Sequence, residues 1–307
     1  YKETGIEFTS EEIIMTCGAG GALNIIFKTL LDPGDEVVIF SPYFVEYHFY
    51  ADNHGGVCKI SATDENFTPD LESFSKLINA KTKIILINSP NNPTGAVYSK
   101  ETLSNLAKII NEKERLYERD MYLVSDEPYR KLLFDGLDYP QVFSHHVRSI
   151  VATSHSKDLA IPGERIGFVA VNPLNERKSE LMDGLTFSTR ILGFVNAPAL
   201  MQHIVGKLQS VTVDIKDYQR KRDFLYEELT LLGYDVVKPQ GAFYMFPRSP
   251  IEDDVEFVAE LQRYNVLVVP GRGFGTPGFF RISFCVDDST LQRSIDGFRK
   301  AISNISS

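Results

Sequence analysis

Short, almost continuously apolar runs separated by longer amphipathic stretches constrain this chain more than any other feature of its sequence. Such runs are typical of strands buried on both faces, and their alternation with helices favours a layered α/β fold with a largely parallel sheet. The predicted strands are Ile13–Thr16, Glu36–Phe40, Val57–Ile60, Lys83–Asn88, Met121–Ser125, Ser149–Thr153 and Ile166–Val171. The helices predicted around and between them are Gly21–Leu31, Phe44–Asn53, Leu71–Ile78, Lys100–Arg119 and Leu174–Gly184.

The pattern changes near Val213, where a long charged amphipathic stretch begins. This stretch, Asp214–Leu232, is followed by Gly233, a residue type that is common just beyond the end of a helix. We predict a large α/β domain at residues 1–212 and a smaller α+β domain at residues 213–307. The later predicted elements are strands at Asp235–Lys238, Ala242–Phe246, Val266–Val269 and Phe280–Phe284, and helices at Asp253–Tyr264 and Ser289–Ile302.

Composition excludes several classes of protein. The formal net charge of −9 argues against a general nucleic-acid-binding protein, which needs a basic surface. No apolar run reaches the about 18 residues that span a bilayer, and no signal-peptide pattern opens the chain. The three cysteines are too few for a disulfide scaffold, and the histidines lack the spacing of a metal site. We expect a cytoplasmic protein with no metal, nucleic-acid partner or membrane anchor.

Polar and aromatic side chains follow several of the predicted strands. In an open α/β fold the carboxyl ends of parallel strands share one edge, and ligands bind there. We therefore expect these side chains to converge on one site. They are the glycine-rich segment Cys17–Gly21, Phe44, Asn92, Asp126, Tyr129, Ser154, Ser156, Lys157 and Arg165.

The chemistry of this set matches one cofactor. The backbone N–H groups of Gly18–Gly21, at the start of a helix, and the guanidinium of Arg165 can bind a phosphate. Asp126 can hold a proton on a ring nitrogen, and Phe44 can lie against an aromatic ring. Lys157 can form a Schiff base with an aldehyde. A phosphate, a basic aromatic ring and an aldehyde together describe pyridoxal 5′-phosphate (PLP).

Taken one at a time, these residues also have ordinary structural explanations. Asp126 could cap a helix, Phe44 could be a core residue, and Gly18–Gly21 could form a tight turn. Arg165 and Arg281 could be surface or ion-pair arginines. The functional interpretation depends on the occurrence of these residues together at successive strand ends.

The chain resembles the fold type I, class I and II PLP-dependent aminotransferases, especially the aspartate and aromatic aminotransferase-like members. The resemblance runs from Tyr1 to about Lys300 and implies their seven-stranded sheet sandwiched by helices. It also implies amino acid and 2-oxo acid substrates and a homodimer. The motifs that support it are Gly18–Leu23, Asp32–Val37, Asn91–Gly95, Ser125–Tyr129, Ser154–Lys157 with Arg165–Gly167, Gly241–Tyr244 and Phe280–Ser283.

The resemblance also implies individual roles. Lys157 would bond to PLP and shuttle a proton, and Asp126 would pair with the pyridine nitrogen. Tyr129 and Asn92 would form hydrogen bonds with the ring 3′-oxygen, and Arg281, assisted by Asn92, would bind the substrate α-carboxylate. The implied catalytic residues are Lys157, Asp126 and Tyr129. The implied cofactor-binding residues are Ala19, Gly20, Phe44, Asn92, Asp126, Tyr129, Ser154, Ser156, Lys157 and Arg165.

The chain departs from the family pattern at two places. The family often has Ser or Thr where this chain has Gly20, so one hydroxyl contact to the phosphate is lost. Family members also carry a segment before the position of Tyr1, which supplies part of the small domain and a tyrosine for the neighbouring subunit. Because the sequence starts at Tyr1 rather than Met, we interpret it as lacking upstream residues or as a processed product.

Substrate choice and reaction type stay open at this stage. Arg190 lies near the place where some family members carry a second arginine. We hypothesise that it selects an acidic substrate side chain, and the alternative is a helix-surface arginine. Two other functions would use the same residues: a PLP-dependent C–S β-lyase, and a truncated, inactive PLP-binding module.

Overall fold

The computed structural model of the protein describes residues 4–305. Within this range the larger sheet has seven strands in the order β3-β2-β4-β5-β6-β7-β1. Every strand that was predicted for this sheet is present, with ends shifted by one residue at most. The strands are β1 (Ile13–Thr16), β2 (Glu36–Phe40), β3 (Val57–Ser61), β4 (Thr82–Asn88), β5 (Tyr122–Asp126), β6 (Ser149–Ser154) and β7 (Gly167–Val171).

Strand β7 runs opposite to the others, since it pairs antiparallel with both β6 and β1. This reversal matters for Arg165, which comes just before β7. In an all-parallel sheet Arg165 would lie at the edge away from the carboxyl ends of the other strands. The antiparallel register pairs Ser154 with Gly167 and so brings Arg165 to the carboxyl end of β6. The expectation of convergence is met, but for Arg165 the cause is antiparallel pairing.

Helices cover both faces of this sheet, because successive residues of each buried strand point to opposite sides. Val37 and Ile39 pack in one apolar cluster, while Val38 and Phe40 pack in another. The helix α6 was not predicted from the sequence. The helices up to residue 207 are α1 (Gly18–Leu30), α2 (Glu46–Asp52), α3 (Leu71–Leu77), α4 (Lys100–Tyr117), α5 (Lys178–Ile191) and α6 (Ala199–Lys207).

The C-terminal part contains three helices and a small antiparallel sheet in the order β8-β10-β9 within the described range. Asp214 and Asp253 begin two of these helices, each accepting hydrogen bonds from first-turn N–H groups. The elements are α7 (Ile215–Leu231), β8 (Tyr244–Met245), α8 (Asp254–Arg263), β9 (Val269–Pro270), β10 (Phe280–Ser283) and α9 (Asp288–Ile305).

Two strand predictions in this part were wrong. Residues 235–238 form no strand, and Pro239, which lacks an N–H and restricts the residue before it, follows them directly. The run 266–269 enters the sheet only at its last residue, Val269. The domain boundary near residue 213 stays a prediction. The C-terminal apolar cluster includes residues that precede this boundary, namely Tyr129, Leu132 and Phe134.

None of the helices between residues 4 and 305 is long and apolar enough to cross a membrane. The cytoplasmic location stays a prediction.

Candidate active site

A cavity of about 420 Å³ opens where β1, β2, β4, β5 and β6 of the large sheet end. All of the cofactor-binding residues predicted from the sequence line it. Arg281, from β10 of the small sheet, lines it as well. The predicted residues brought together here are Ala19, Gly20, Phe44, Asn92, Asp126, Tyr129, Ser154, Ser156, Lys157, Arg165 and Arg281.

Asp126 is the last residue of β5 and is 5% exposed. Its Oδ2 accepts a hydrogen bond of 2.6 Å from the hydroxyl of Tyr47, whereas its buried Oδ1 has no partner among the described residues. Burial raises the pKa of Asp126 to about 7, although the Tyr47 hydrogen bond acts in the opposite direction. The site thus holds a buried carboxyl group with one oxygen that lacks a donor.

Lys157 lies in the loop after β6. A hydrogen bond and an ion pair of neighbouring residues hold this loop in place. The N–H of His155 donates to the carbonyl of Ile166, and Asp158 pairs with Lys131 at 3.1 Å. Lys157 has no carboxylate partner within residues 4–305, and its Nζ is 5.3 Å from the centroid of the Phe243 ring. Burial lowers the pKa of Lys157, and the charges of Arg165 and Arg281 lower it further. A larger fraction of this amine is therefore uncharged than in an ordinary lysine.

Several hydrogen-bond donors that can bind an anion lie around the start of α1. No side chain within residues 4–305 caps this helix, so its first N–H groups are available to a ligand. Arg165 lies beside it, since a Cβ on Gly18 would come 2.9 Å from Arg165 Nη2. A side chain at position 18 would displace the guanidinium from this place, and Gly18 also has a φ of 74°, a conformation that favours glycine. The hydroxyl residues Ser154 and Ser156 line the same cavity.

A turn at residues 91–95 positions the opposite wall of the cavity. Gly95 has a φ of 73°, and a Cβ there would lie 2.7 Å from the carbonyl oxygen of Gly241. The N–H of Asn92 donates to Asn88 Oδ1 at 2.7 Å, and Arg281 Nη1 donates to Asn92 Oδ1 at 2.9 Å. This leaves the other guanidinium donors of Arg281 available for a carboxylate.

Tyr129 lies between this wall and the sheet edge. Its hydroxyl is 3.1 Å from the hydroxyl of Tyr244, and burial raises its pKa well above the ordinary value. Burial also raises the pKa of Tyr244, so both phenols are neutral near neutral pH, and one of them donates to the other.

Arg190 is not among the residues that line the cavity. It is exposed in the last turn of α5. Its proposed part in selecting an acidic side chain stays a prediction.

The sequence analysis missed several residues of the cavity. Tyr47 and Tyr50 follow Phe44 at intervals of three residues on one helical stretch, so helical spacing would have placed them on the same face. Tyr244 lies in the motif Gly241–Tyr244, for which the sequence alone predicts no role. The missed residues with polar side chains are Glu46, Tyr50, Asn88 and Tyr244 in the cavity lining, and Tyr47 behind Asp126.

Comparison with known proteins agrees with this geometry. Residues 1–298 match the family model described as aminotransferase class I and II. The chain belongs to the aminotransferase class I and II family. The mostly parallel seven-stranded sheet and the small antiparallel sheet of this aminotransferase confirm the predicted fold class.

The aminotransferase has similar curated relatives along nearly its whole length. It is 36% identical over 308 residues to the aspartate/prephenate aminotransferase of Thermus thermophilus, covering 98% of this chain and 78% of that protein. It is 34% identical over 310 residues to the aspartate aminotransferase of a Bacillus species, covering 96% of this chain and 77% of that protein.

Solved structures are similar as well. An amino transferase from Eubacterium rectale matches with a TM-score of 0.96 and 39% identity, covering 99% of this chain and 77% of that one. Thermus thermophilus aspartate aminotransferase with maleate matches with a TM-score of 0.84 and 32% identity, covering 98% of this chain and 78% of that one.

Proposed function

We propose that this aminotransferase uses PLP and holds it in the cavity described above. The observation that supports this most directly is the unpartnered Oδ1 of Asp126. A buried carboxylate oxygen without a hydrogen bond is costly, and a protonated ring nitrogen is the donor that Asp126 lacks. Lys157 lines the same cavity, within reach of a small aromatic ligand that contacts Asp126.

The remaining donors fit the other parts of PLP. The start of α1, Ser154, Ser156 and Arg165 form a phosphate site, because they combine backbone N–H groups, hydroxyls and a guanidinium. Phe44 supplies an aromatic surface near Asp126 for the ring. The phenol of Tyr129 supplies a neutral donor for the ring oxygen.

The chemistry is divided between the cofactor and the protein. PLP, when bound, supplies an aldehyde that condenses with amines and a protonated ring that accepts the electron pair left at Cα. Lys157 would supply the uncharged amine that bonds to this aldehyde and, once freed by the substrate amine, would hold and return the Cα proton. Asp126, when ionised, would keep the ring nitrogen protonated by its negative charge. Positioned proton transfer of this kind contributes roughly 10²–10⁴-fold to the rate.

We propose that the substrates are an aspartate-type L-amino acid and a 2-oxo acid. Arg281 would bind their α-carboxylate with its free donors, while Asn92 fixes its orientation. Relatives named aspartate and aspartate/prephenate aminotransferases support this substrate class. No feature of the described residues favours the C–S β-lyase or the inactive module.

A half-reaction screen tests this proposal. PLP-loaded protein is mixed with single amino acids, and the absorbance change of the bound cofactor is followed. We expect aspartate or glutamate to react, and 2-oxo acids to reverse the change. A screen in which no amino acid reacts would contradict the proposal. Faster release of pyruvate and ammonia from cystathionine than transfer to 2-oxoglutarate would instead identify a lyase.

The variant Arg281→Lys tests the carboxylate site. It keeps the charge but loses the planar set of donors, so KM for the amino acid should rise roughly 10- to 100-fold. Arg248→Lys is the matched control, because Arg248 stacks on Phe279 outside this cavity. Steady-state kinetics with equal KM values for the two variants would show that Arg281 does not bind the carboxylate.

We also propose a homodimer. Large apolar side chains are exposed together around the end of α5 and the start of α6, as expected of a surface that a second copy covers. These are Phe187, Ile191, Val195 and Leu200.

Sedimentation at several concentrations tests this. We expect twice the 34.6 kDa mass of one chain. Phe187→Asp should dissociate the dimer, and Leu231→Asp, a change at an even more exposed residue of α7, should leave it intact. A monomeric wild-type protein at every concentration would contradict the proposal.

A further inference from the structure

Gly20 has no side chain to offer at the proposed phosphate site, and the hydroxyl of Tyr50 lies next to it. A Cβ on Gly20 would lie 3.1 Å from Tyr50 Oη and 3.9 Å from Tyr50 Cζ. A side chain at position 20 would therefore make a tight contact with the tyrosine hydroxyl. The hydroxyl borders the space that a Ser or Thr side chain at position 20 would enter.

The surroundings of Tyr50 are those of an anion-binding group. Tyr50 lies on α2 and lines the cavity together with Ala19, Gly20, Ser154 and Arg165. Its hydroxyl has no hydrogen-bond partner within the part of the chain that the structure describes. The ring is half-buried, so this hydroxyl is positioned by packing and still open to a ligand.

The electrostatics keep this hydroxyl protonated. Burial raises the pKa of Tyr50, the carboxylates of Glu46 and Asp126 raise it further, and the cation Arg165 lowers it. A neutral phenol near Arg165 adds an O–H donor to a site that already offers a guanidinium and backbone N–H groups. Hydrogen bonds to a charged acceptor are stronger than those between neutral groups.

We propose that Tyr50 donates a hydrogen bond to the phosphate of PLP and so replaces the hydroxyl that position 20 lacks. This assignment rests on the proposed use of PLP. It makes Tyr50 a phosphate-binding residue of the same subunit. The alternative is that Tyr50 only packs against the first turn of α1.

The test compares two ligands that differ only in the phosphate. Apoprotein is prepared from the loaded enzyme and titrated with PLP and with pyridoxal, and binding is followed by absorbance. Tyr50→Phe should weaken PLP binding roughly tenfold or more, since it removes a hydrogen bond to a charged group. Binding of pyridoxal should stay unchanged, because pyridoxal has no phosphate.

Two further variants sharpen the comparison. Tyr43→Phe removes a phenol from the connection between β2 and α2, close in sequence to Tyr50. Tyr43 does not line the cavity, so PLP binding should not change. The double variant Gly20→Ser with Tyr50→Phe adds a hydroxyl at position 20, beside the place that Tyr50 Oη leaves. It should recover most of the PLP affinity lost in Tyr50→Phe, again without effect on pyridoxal.

The outcomes separate this inference from the proposed function. Loss of PLP affinity alone, recovered in the double variant, would support the assignment. Equal losses for PLP and pyridoxal, or no loss for PLP, would overturn it and leave the use of PLP intact. Wild-type protein that binds neither ligand would overturn the proposed cofactor and this assignment with it.

Discussion

At the scale of single residues, burial sets the chemistry of Asp126. Removal from water raises its pKa to about 7 even though Tyr47 donates to one oxygen. The neighbouring Glu127 is also buried, and burial raises its pKa to about 7 too, but it does not line the cavity. The two acids thus have similarly raised pKa values and differ in access to the ligand.

The variants Asp126→Asn and Glu127→Gln exploit this difference. Asp126→Asn cannot hold the ring proton, so kcat should fall by roughly 10²–10⁴-fold while PLP still binds. Glu127→Gln is the matched control and should leave kcat within about a factor of ten. Both rates come from steady-state assays at saturating PLP, with thermal unfolding as a check on folding. Equal losses in the two variants would contradict the assignment of Asp126.

Among the elements, α2 and the connection before it together place three aromatic residues at the site within two helical turns. Phe44 precedes the helix, Tyr47 bonds to Asp126 and Tyr50 approaches Gly20. Sequence analysis placed only Phe44, because strand ends guided the search and α2 follows a strand at a distance. The spacing of three residues is visible in the sequence. The contacts of Tyr47 and Tyr50, however, depend on how α2 packs next to α1 and the end of β5.

Tyr47→Phe tests the positioning of Asp126 by α2. Loss of the hydrogen bond raises the pKa of Asp126, because the Tyr47 hydroxyl stabilises the ionised carboxylate. We expect kcat to fall roughly tenfold and the acidic limb of the kcat/KM profile to move to higher pH. A fall in kcat without a shift of that limb would mean that Tyr47 acts through packing alone.

At the scale of the whole molecule, the sheet and its ligand edge could be predicted from the sequence, because buried strands and the residues after them leave a clear local pattern. Arg165 was assigned to the correct edge for the wrong reason, since strand direction is set by pairing between β7 and β6 and not by local sequence. The short strands of the C-terminal sheet were poorly predicted for the same reason. Tyr244 and Arg281 enter the cavity only through the packing of that part against the turn at Gly95.

The buried acids should make the stability of the apoprotein depend on pH. The folded-state pKa of Asp126 is raised from 3.8 to about 7, so its contribution to stability is present at low pH and is lost as pH rises toward 7. The difference in unfolding free energy between Asp126→Asn and wild type should therefore grow, in favour of the variant, by about 1.4 kcal/mol per pH unit between about pH 5 and 7. Urea unfolding at several pH values measures it. A difference that is constant with pH would show that Asp126 is already ionised in the apoprotein.

Above all, we propose that PLP bonds to Lys157 in the cavity that Asp126 lines. Borohydride reduction of the PLP-loaded protein, followed by proteolysis and mass spectrometry, tests it most directly, because reduction makes the bond between cofactor and lysine permanent. We predict a phosphopyridoxyl group on the peptide that contains Lys157. The variant Lys157→Ala should carry no such label and should not catalyse transamination. A label on a different lysine, or no label on fully loaded protein, would contradict the account.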